Sequence, residues 1–395
     1  MLEIRKLYDF HDDGCTCGDC SGDLATLADF DNTFRRIAKN ILDQYTDEVY
    51  NQVVDGQNLS KAIWSEHYSR LRQFAEAGYG RKFTEARTRA ELDLMQRINQ
   101  NISRFAAHKQ QAMTVELRRL LVNAQGQKVS LVEFREAAKK VIRRHNITYL
   151  RTELNTTAQA AQAAESWQEF QNRKFLYPNL RYETVGDARV REAHRALDGA
   201  VYPVDHPFWD VYYPPNGWRC RCKVLQTDSP AKEMEADFEP SKGFRQNVGK
   251  TGLLFDDQHP YFKVGTLTAE KLDQQANDWL AALEKDTLRK LAIERHAGEQ
   301  FYIPQLPQPI RLGKALIENL FEQPHPHASI RNYLLAHFNL VYKELEYVSQ
   351  TTEEATIWHY LMELSEGKFY FNILELKGER EFEIAYILQS ITDKI

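Results

Sequence analysis

At 395 residues the chain is long enough to bury a large core and to hold two or three domains. Apolar residues make up 43% and charged residues 27%, and a net charge of -5 gives no global reason to expect nucleic acid as a partner. No apolar run approaches the roughly 20 residues that span a bilayer. The start "MLEIRKLYDFHDDG" carries charge where a secretion signal needs an apolar stretch, so the expectation is a cytoplasmic product without a membrane partner.

The first feature in chain order is "HDDGCTCGDC", where Cys15, Cys17 and Cys20 lie close to His11. These residues have the donor types of a small zinc knuckle, with Gly14 and Gly18 allowing tight turns. The set lacks a second Cys/His pair nearby, and a flexible tail is the alternative. From about residue 28 to 171 the pattern is helical. In "FRRIAKNILDQYTDEVYNQVV" Phe34, Ile37, Ile41, Tyr45 and Val49 share one face. A second helix covers "KAIWSEHYSRLRQFAEA" and stops at Gly78 and Gly80. A third runs from about 85 to 124, with a break expected around 106–111. Ser130 and Glu133 form a capping box that opens "SLVEFREAAKKVIRRH", and a last helix begins near Thr148. Its neighbours "KKVIRRH" and "VELRRLL" are basic enough to touch DNA or an acidic protein, although a solvated helix face explains them as well.

The texture changes at "FLYPNLRYETV", where "LRYETV" reads as a strand. Asp187 to Val224 follows, crowded with proline, tryptophan, arginine, histidine and cysteine. Cys220 and Cys222 are expected two apart on a second strand, "RCRCKVLQT", and so on one side of it. With His194 they supply three zinc ligands, and His206 or Asp205 is available as a fourth. The competing reading is a polar clasp in which arginine pairs with aspartate, His194 bonds backbone and the cysteines are small buried residues. Residues 229–262 look like an irregular arm. Gly243 and Gly249 enclose five residues ahead of Lys250, where a phosphate loop needs four, so a nucleotide site is rejected. A helix from about 268 leads to the hinge "IPQLPQPI". Two helices, "LGKALIENLFEQ" and "SIRNYLLAHF", and a hairpin of "KFYFNILELK" with "EFEIAYILQSI" then complete the chain.

Five ordered motifs carry a resemblance: Arg151 to Glu153 ("RTE"), "DARVREAH", "LDG", "PP" and "WRCRC". Over about 151–226 the chain resembles the phage Mu F-like minor head protein family, the head-morphogenesis family of tailed phages. The residues that match are Arg151, Glu153, Asp187, Arg189, Arg191, His194, Asp198, Gly199, Trp218, Cys220, Arg221 and Cys222. The resemblance implies a minor capsid protein of a phage or prophage, active in head morphogenesis and genome packaging. It would be made in the bacterial cytoplasm, carried in the virion head, and placed against portal and capsid proteins and phage DNA. It assigns no catalytic role to the motif.

Members of this family sometimes carry a C-terminal toxin-like domain, and residues after 300 weakly resemble barnase, EndoU or colicin-type ribonucleases. That resemblance points to His325, His327 and His337, with Lys343, Ser390 and Thr392 nearby in sequence, as candidates for acting on host RNA. A metal-free ribonuclease needs a base, an acid and a cation for the phosphorane, and Arg331 is a second cation candidate. The sequence therefore predicts an α+β protein. It has a helical region with a Cys-rich tail (1–145), a small core (146–228), an irregular arm plus helix (229–300) and a C-terminal α+β domain (301–395). Two functional alternatives stay open beside the head protein: a head-carried effector with a ribonuclease domain, and a zinc enzyme centred on His194, Cys220 and Cys222.

Overall fold

The computed structural model describes residues 39–55, 58–234, 238–241, 243–263, 266–352, 355–365, 367–376 and 381–390. His11, Cys15, Cys17, Cys20 and Thr392 lie outside them. The fold is α+β, with two compact units whose boundaries fall within two long helices. The first comprises residues 1–80, 101–249 and 253–273, and the second 81–100, 250–252 and 274–395. Among the described residues no helix is long and apolar enough to cross a membrane.

In the first unit helix α1 (39–50) presents Tyr45 and Val49 to a fully apolar cluster with Val54, Ile63, Met113, Leu117, Phe134, Ala138 and Val141. Helix α2 (Lys61–Tyr79) ends on Gly80 in the left-handed region, as its glycine pair predicts. Helix α3 (Arg89–Arg118) is unbroken where an interruption is expected. Ala106, Ala107, His108, Lys109, Gln110 and Gln111 are all buried there, so packing holds the polar run in the helix. Helix α4 (Leu131–Arg143) starts at the Ser130–Glu133 capping box. Instead of stopping before Thr148, the chain passes through a π-helical turn, Arg144–Tyr149, straight into α5 (Leu150–Arg173). That turn adds a residue to the helix and directs His145, Asn146 and Tyr149 inward.

Helices α2 and α5 approach closely at a glycine. A β-carbon on Gly78 would lie 2.0 Å from the carbonyl oxygen of Ala158, closer than any backbone contact permits. Beyond α5, strand β1 (Asn179–Glu183) is the centre of a three-stranded antiparallel sheet, flanked by β2 (Val201–Pro203) and β3 (Lys223–Thr227). Short helices α6 (Glu192–Arg195) and α7 (Phe208–Tyr212) fill the connections. Strand β3 begins at Lys223, so Cys220 and Cys222 lie in the loop that feeds it and not on the strand. The stretch expected to be an arm is irregular but packed. It holds α8 (Val248–Thr251), and it buries Phe244, Val248, Leu254, Phe255 and Tyr261, with Phe255 stacked 3.6 Å from Phe105. Its large side chains, not regular backbone, keep it on the core.

Helix α9 (Thr266–His296) crosses the division between the units. The second unit holds a six-stranded sheet in the order β4-β5-β9-β8-β7-β6. Its strands are β4 (Gln300–Phe301), β5 (Ile310–Arg311), β6 (Glu346–Thr352), β7 (Thr356–Leu364), β8 (Gly367–Leu376) and β9 (Glu381–Ser390). The expected hairpin is β8–β9, and β6–β7 is a further hairpin not anticipated from the acidic segment "YKELEYVSQTTEE". Thr, Val, Ile, Trp and Tyr in those residues favour strand, and β6 is an exposed edge that accommodates charge. Helices α10 (Lys314–Glu322), α11 (Ala328–Ala336) and α12 (Phe338–Val341) complete the unit.

The close approach at Gly78 gives a direct check. Gly78→Ala should lower unfolding stability by about 1–3 kcal/mol in a denaturant titration, because the obstacle is backbone and cannot rotate away. Gly313→Ala, whose β-carbon would meet nothing and whose φ of -72° suits any residue, serves as the comparison and should lose less.

Candidate functional site

The family-like residues fall in two places in the first unit, a buried charge cluster on the helices and a clasp around the small sheet. In the cluster, the Lys109 ammonium on α3 donates to the Glu153 carboxylate on α5, with both side chains fully buried. The Tyr261 hydroxyl donates to the other Glu153 oxygen at 3.4 Å. Burial pushes Lys109 below its ordinary value, and the Glu153 charge resists that shift. Beside it, Glu116 accepts from His145 Nε2 at 2.8 Å and from Arg144. Burial alone would raise Glu116, but these two donors win and hold it down at about 2. His67 Nε2 meets Asn146 Oδ1 at 2.7 Å, and burial lowers both His67 and His259 so that they stay neutral, His259 down to about 3. The Glu153 of "RTE" is thus an internal ion-pair partner, whereas Arg151, two residues earlier and so on the opposite side of the helix, is exposed.

The clasp is built from short, specific contacts. Asp187 accepts both terminal nitrogens of Arg221, at 2.7 and 2.8 Å, and the backbone N–H of Arg189 at 3.0 Å. The Arg221 bonds hold the Asp187 carboxyl down at about 2. Arg195 donates to the Asp187 carbonyl, and Arg191 donates to the Trp218 carbonyl at 2.6 Å. Asp198 accepts from both the N–H and the hydroxyl of Thr184, at 2.7 and 2.9 Å. Gly199 turns the chain at φ +79°, and its N–H returns to the Tyr182 carbonyl of β1. The anticipated pairing of arginine with aspartate is present, carried by Arg221.

His194 does not bond backbone as the clasp reading expects. Its Nδ1 lies 3.6 Å from Cys220 Sγ and 3.5 Å from Cys222 Sγ, and the three ligand atoms lie within 4.8 Å of one another. A turn closed by Cys220 N–H to the Gly217 carbonyl, with Arg219 at φ +55°, presents the two sulfurs. Both cysteines are free thiols. Contact with the Cys222 thiol, reinforced by His194, pushes Cys220 well below its ordinary value, and the same contact raises Cys222. The two fourth ligands considered from sequence are elsewhere. Asp205 pairs with Lys174 at 3.1 Å, and His206 Nδ1 accepts the Phe208 N–H.

In the second unit, the residues singled out for ribonuclease chemistry have separate occupations. His337 is fully buried at the end of α11, with Nδ1 on the Tyr333 carbonyl and Nε2 on the Thr84 carbonyl. Burial lowers it to about 4. Arg331 is buried and donates to the carbonyls of Gln323 and Phe321. His325 Nδ1 accepts the His327 N–H in the turn before α11, Lys343 lies over the Tyr342 ring, and Ser390 ends β9.

The family described as Phage Mu protein F like protein matches residues 43–225, which contain most of α1, all of α2 to α5, most of the small sheet and every motif residue above. Over residues 43–225 the chain is similar to the Phage Mu protein F like family. Within it, 94 residues are 37% identical to a protein of Escherichia phage Mu named "Putative capsid assembly protein F", covering 24% of this chain and 21% of that one. A stretch of 77 residues is 42% identical to the Mu-like prophage FluMu F protein of Haemophilus influenzae, covering 20% of this chain and 18% of that one. The chain thus spans about a fifth of the length of each relative. No solved structure matches. The match begins more than a hundred residues before "RTE", so the helices belong to the Mu F-like segment along with the clasp. Lys109, His145 and Glu116 carry no recognisable motif, and only the π-turn and the buried polar face of α3 give them away.

If Glu153 is there for its ion pair, Glu153→Ala alone should cost about 3–5 kcal/mol of unfolding stability, because it strands a buried ammonium. The double variant Lys109→Met, Glu153→Leu should recover most of that loss. A chemical-denaturation double-mutant cycle measures both.

Proposed function

We propose that the chain is a minor head protein of a phage or prophage, acting through protein contacts in capsid assembly and genome packaging. The observation that carries this reading is how the Mu F-like motif residues are used. Asp187, Arg191, Asp198, Arg221 and Glu153 each spend their polar groups on partners inside the same unit. Such residues hold a shape, and a shape held this firmly suits a protein that docks on others. The names of the two relatives, one a capsid assembly protein and one a prophage protein, support the same setting.

Within that role the portal and the inner capsid wall are the proposed protein partners, and phage DNA is a secondary contact. Exposed Lys139, Lys140 and Arg143 on α4 offer positive charge, although Lys139 shares a salt bridge with Glu136. An anionic partner would therefore be held weakly and in a salt-dependent way.

Expression of the tagged chain from its own phage or prophage tests the proposal. The tagged chain should co-purify with portal protein or heads from induced cells, and deleting it should leave heads that fail to fill with DNA. A tagged chain recovered free of head proteins, together with normal filled heads in its absence, would contradict it.

A further inference from the structure

We propose that His194, Cys220 and Cys222 bind a zinc-class metal ion that ties α6 to the loop feeding β3. The inference stands apart from the head-assembly reading and rests on geometry. Tetrahedral zinc holds sulfur at about 2.3 Å and imidazole nitrogen at about 2.0–2.1 Å, which places each sulfur about 3.5 Å from the nitrogen. The separations here are 3.6 Å from Cys220 Sγ and 3.5 Å from Cys222 Sγ, both measured to the same atom, Nδ1 of His194.

A hydrogen bond explains one of those distances but not both. Nδ1 carries either one proton or one lone pair, so it can satisfy one sulfur at a time. A single cation bonded to all three atoms accounts for the convergence. The donors also fit the ion, because two thiolates and an imidazole select zinc over calcium or magnesium and leave a divalent ion neutralised. Binding releases a proton for each thiol ionised, so uptake should weaken as pH falls.

Burial defines the shape of the site. His194 and Cys220 are 4% and 3% exposed, whereas Cys222 is half-buried, so solvent reaches the cluster from the Cys222 side. Phe238 stacks on the His194 ring, with centroids 5.4 Å apart, and covers that part of the site. Water completes the tetrahedron, since Asp205 and His206 are engaged elsewhere. The ion then does for this segment what a disulfide does in an oxidising compartment. It pins the end of a one-turn helix to a loop 26 to 28 residues away.

The test uses the full chain with Cys15, Cys17 and Cys20 changed to Ser, which leaves Cys220 and Cys222 as its two cysteines. Purified under reducing conditions and dialysed against zinc, it should hold one zinc per chain by elemental analysis. Cobalt(II) in place of zinc should give thiolate-to-cobalt charge transfer and the strong visible bands of a tetrahedral site. Adding Cys220→Ser and Cys222→Ser should abolish both signals. If that variant fails to fold, titrating the parent's two thiols with a mercurial should release the zinc in step. Protein that takes up neither metal while both thiols react freely would overturn the proposal, as would zinc that stays bound after both are capped.

Discussion

An ammonium and a carboxylate with no access to water set the terms for the first unit. Lys109 and Glu153 are each fully buried, and a charge in that position is tolerable only opposite its partner. Removing an ion from water costs several kcal/mol, so the pair adds little to stability compared with two well-packed apolar residues. What it fixes is register. Helix α3 must present Lys109 where α5 presents Glu153, and the Tyr261 hydroxyl must reach the same carboxylate from the far end of the irregular stretch. Three separate parts of the chain are thus aligned on one atom group. The π-turn between α4 and α5 belongs to the same arrangement, since it delivers His145 to Glu116 and Asn146 to His67.

The clasp extends this logic to the edge of the helical layer. Residues 187–224 are too rich in proline and too short of regular elements to form a core of their own. They are held by discrete bonds: Asp187 to Arg221, Arg191 to the Trp218 carbonyl, Asp198 to Thr184 and the Tyr182 hydroxyl to Asn216. Aromatic anchors supply the rest, with Trp209 donating to the Pro203 carbonyl and Tyr213 to the Ala163 carbonyl of α5. A segment bonded in this way is a rigid surface. The head-assembly proposal asks for such a surface, and the metal proposal adds one more tie at His194.

Much of this was legible in the sequence, and the failures have physical causes. Capping and glycine signals placed α2 and α4 because they act within a few residues, as at Ser130 and Gly80. The ordered motifs located the clasp, and the donor types of His194, Cys220 and Cys222 singled out three residues whose ligand atoms converge in the fold. Their support is a loop and not the expected strand: β3 starts only at Lys223, after a turn with Arg219 at positive φ, and a backbone conformation of that kind leaves no mark on a non-glycine sequence. The expected break in α3 reflected the polar run "HKQQ". That run is helical because its partners, Asp273 for His108 and Glu153 for Lys109, lie far along the chain. Strands β6 and β7 were hidden by glutamates that an edge strand can leave in solvent. In the second unit, His337 stood out as a chemical residue, whereas in the fold its two nitrogens bond backbone carbonyls.

The claim that the Mu F-like motif is architecture can be read directly from native-state hydrogen exchange of the full chain. If Asp187 to Val224 is a bonded clasp, the amides of Tyr182, Thr184, Gly199, Val201 and Cys220, each hydrogen-bonded in the structure, should exchange slowly, with protection approaching that of α5. Exchange across 187–224 at the rate of an unstructured peptide, with α5 still protected, would contradict the account and mark the segment as a mobile loop.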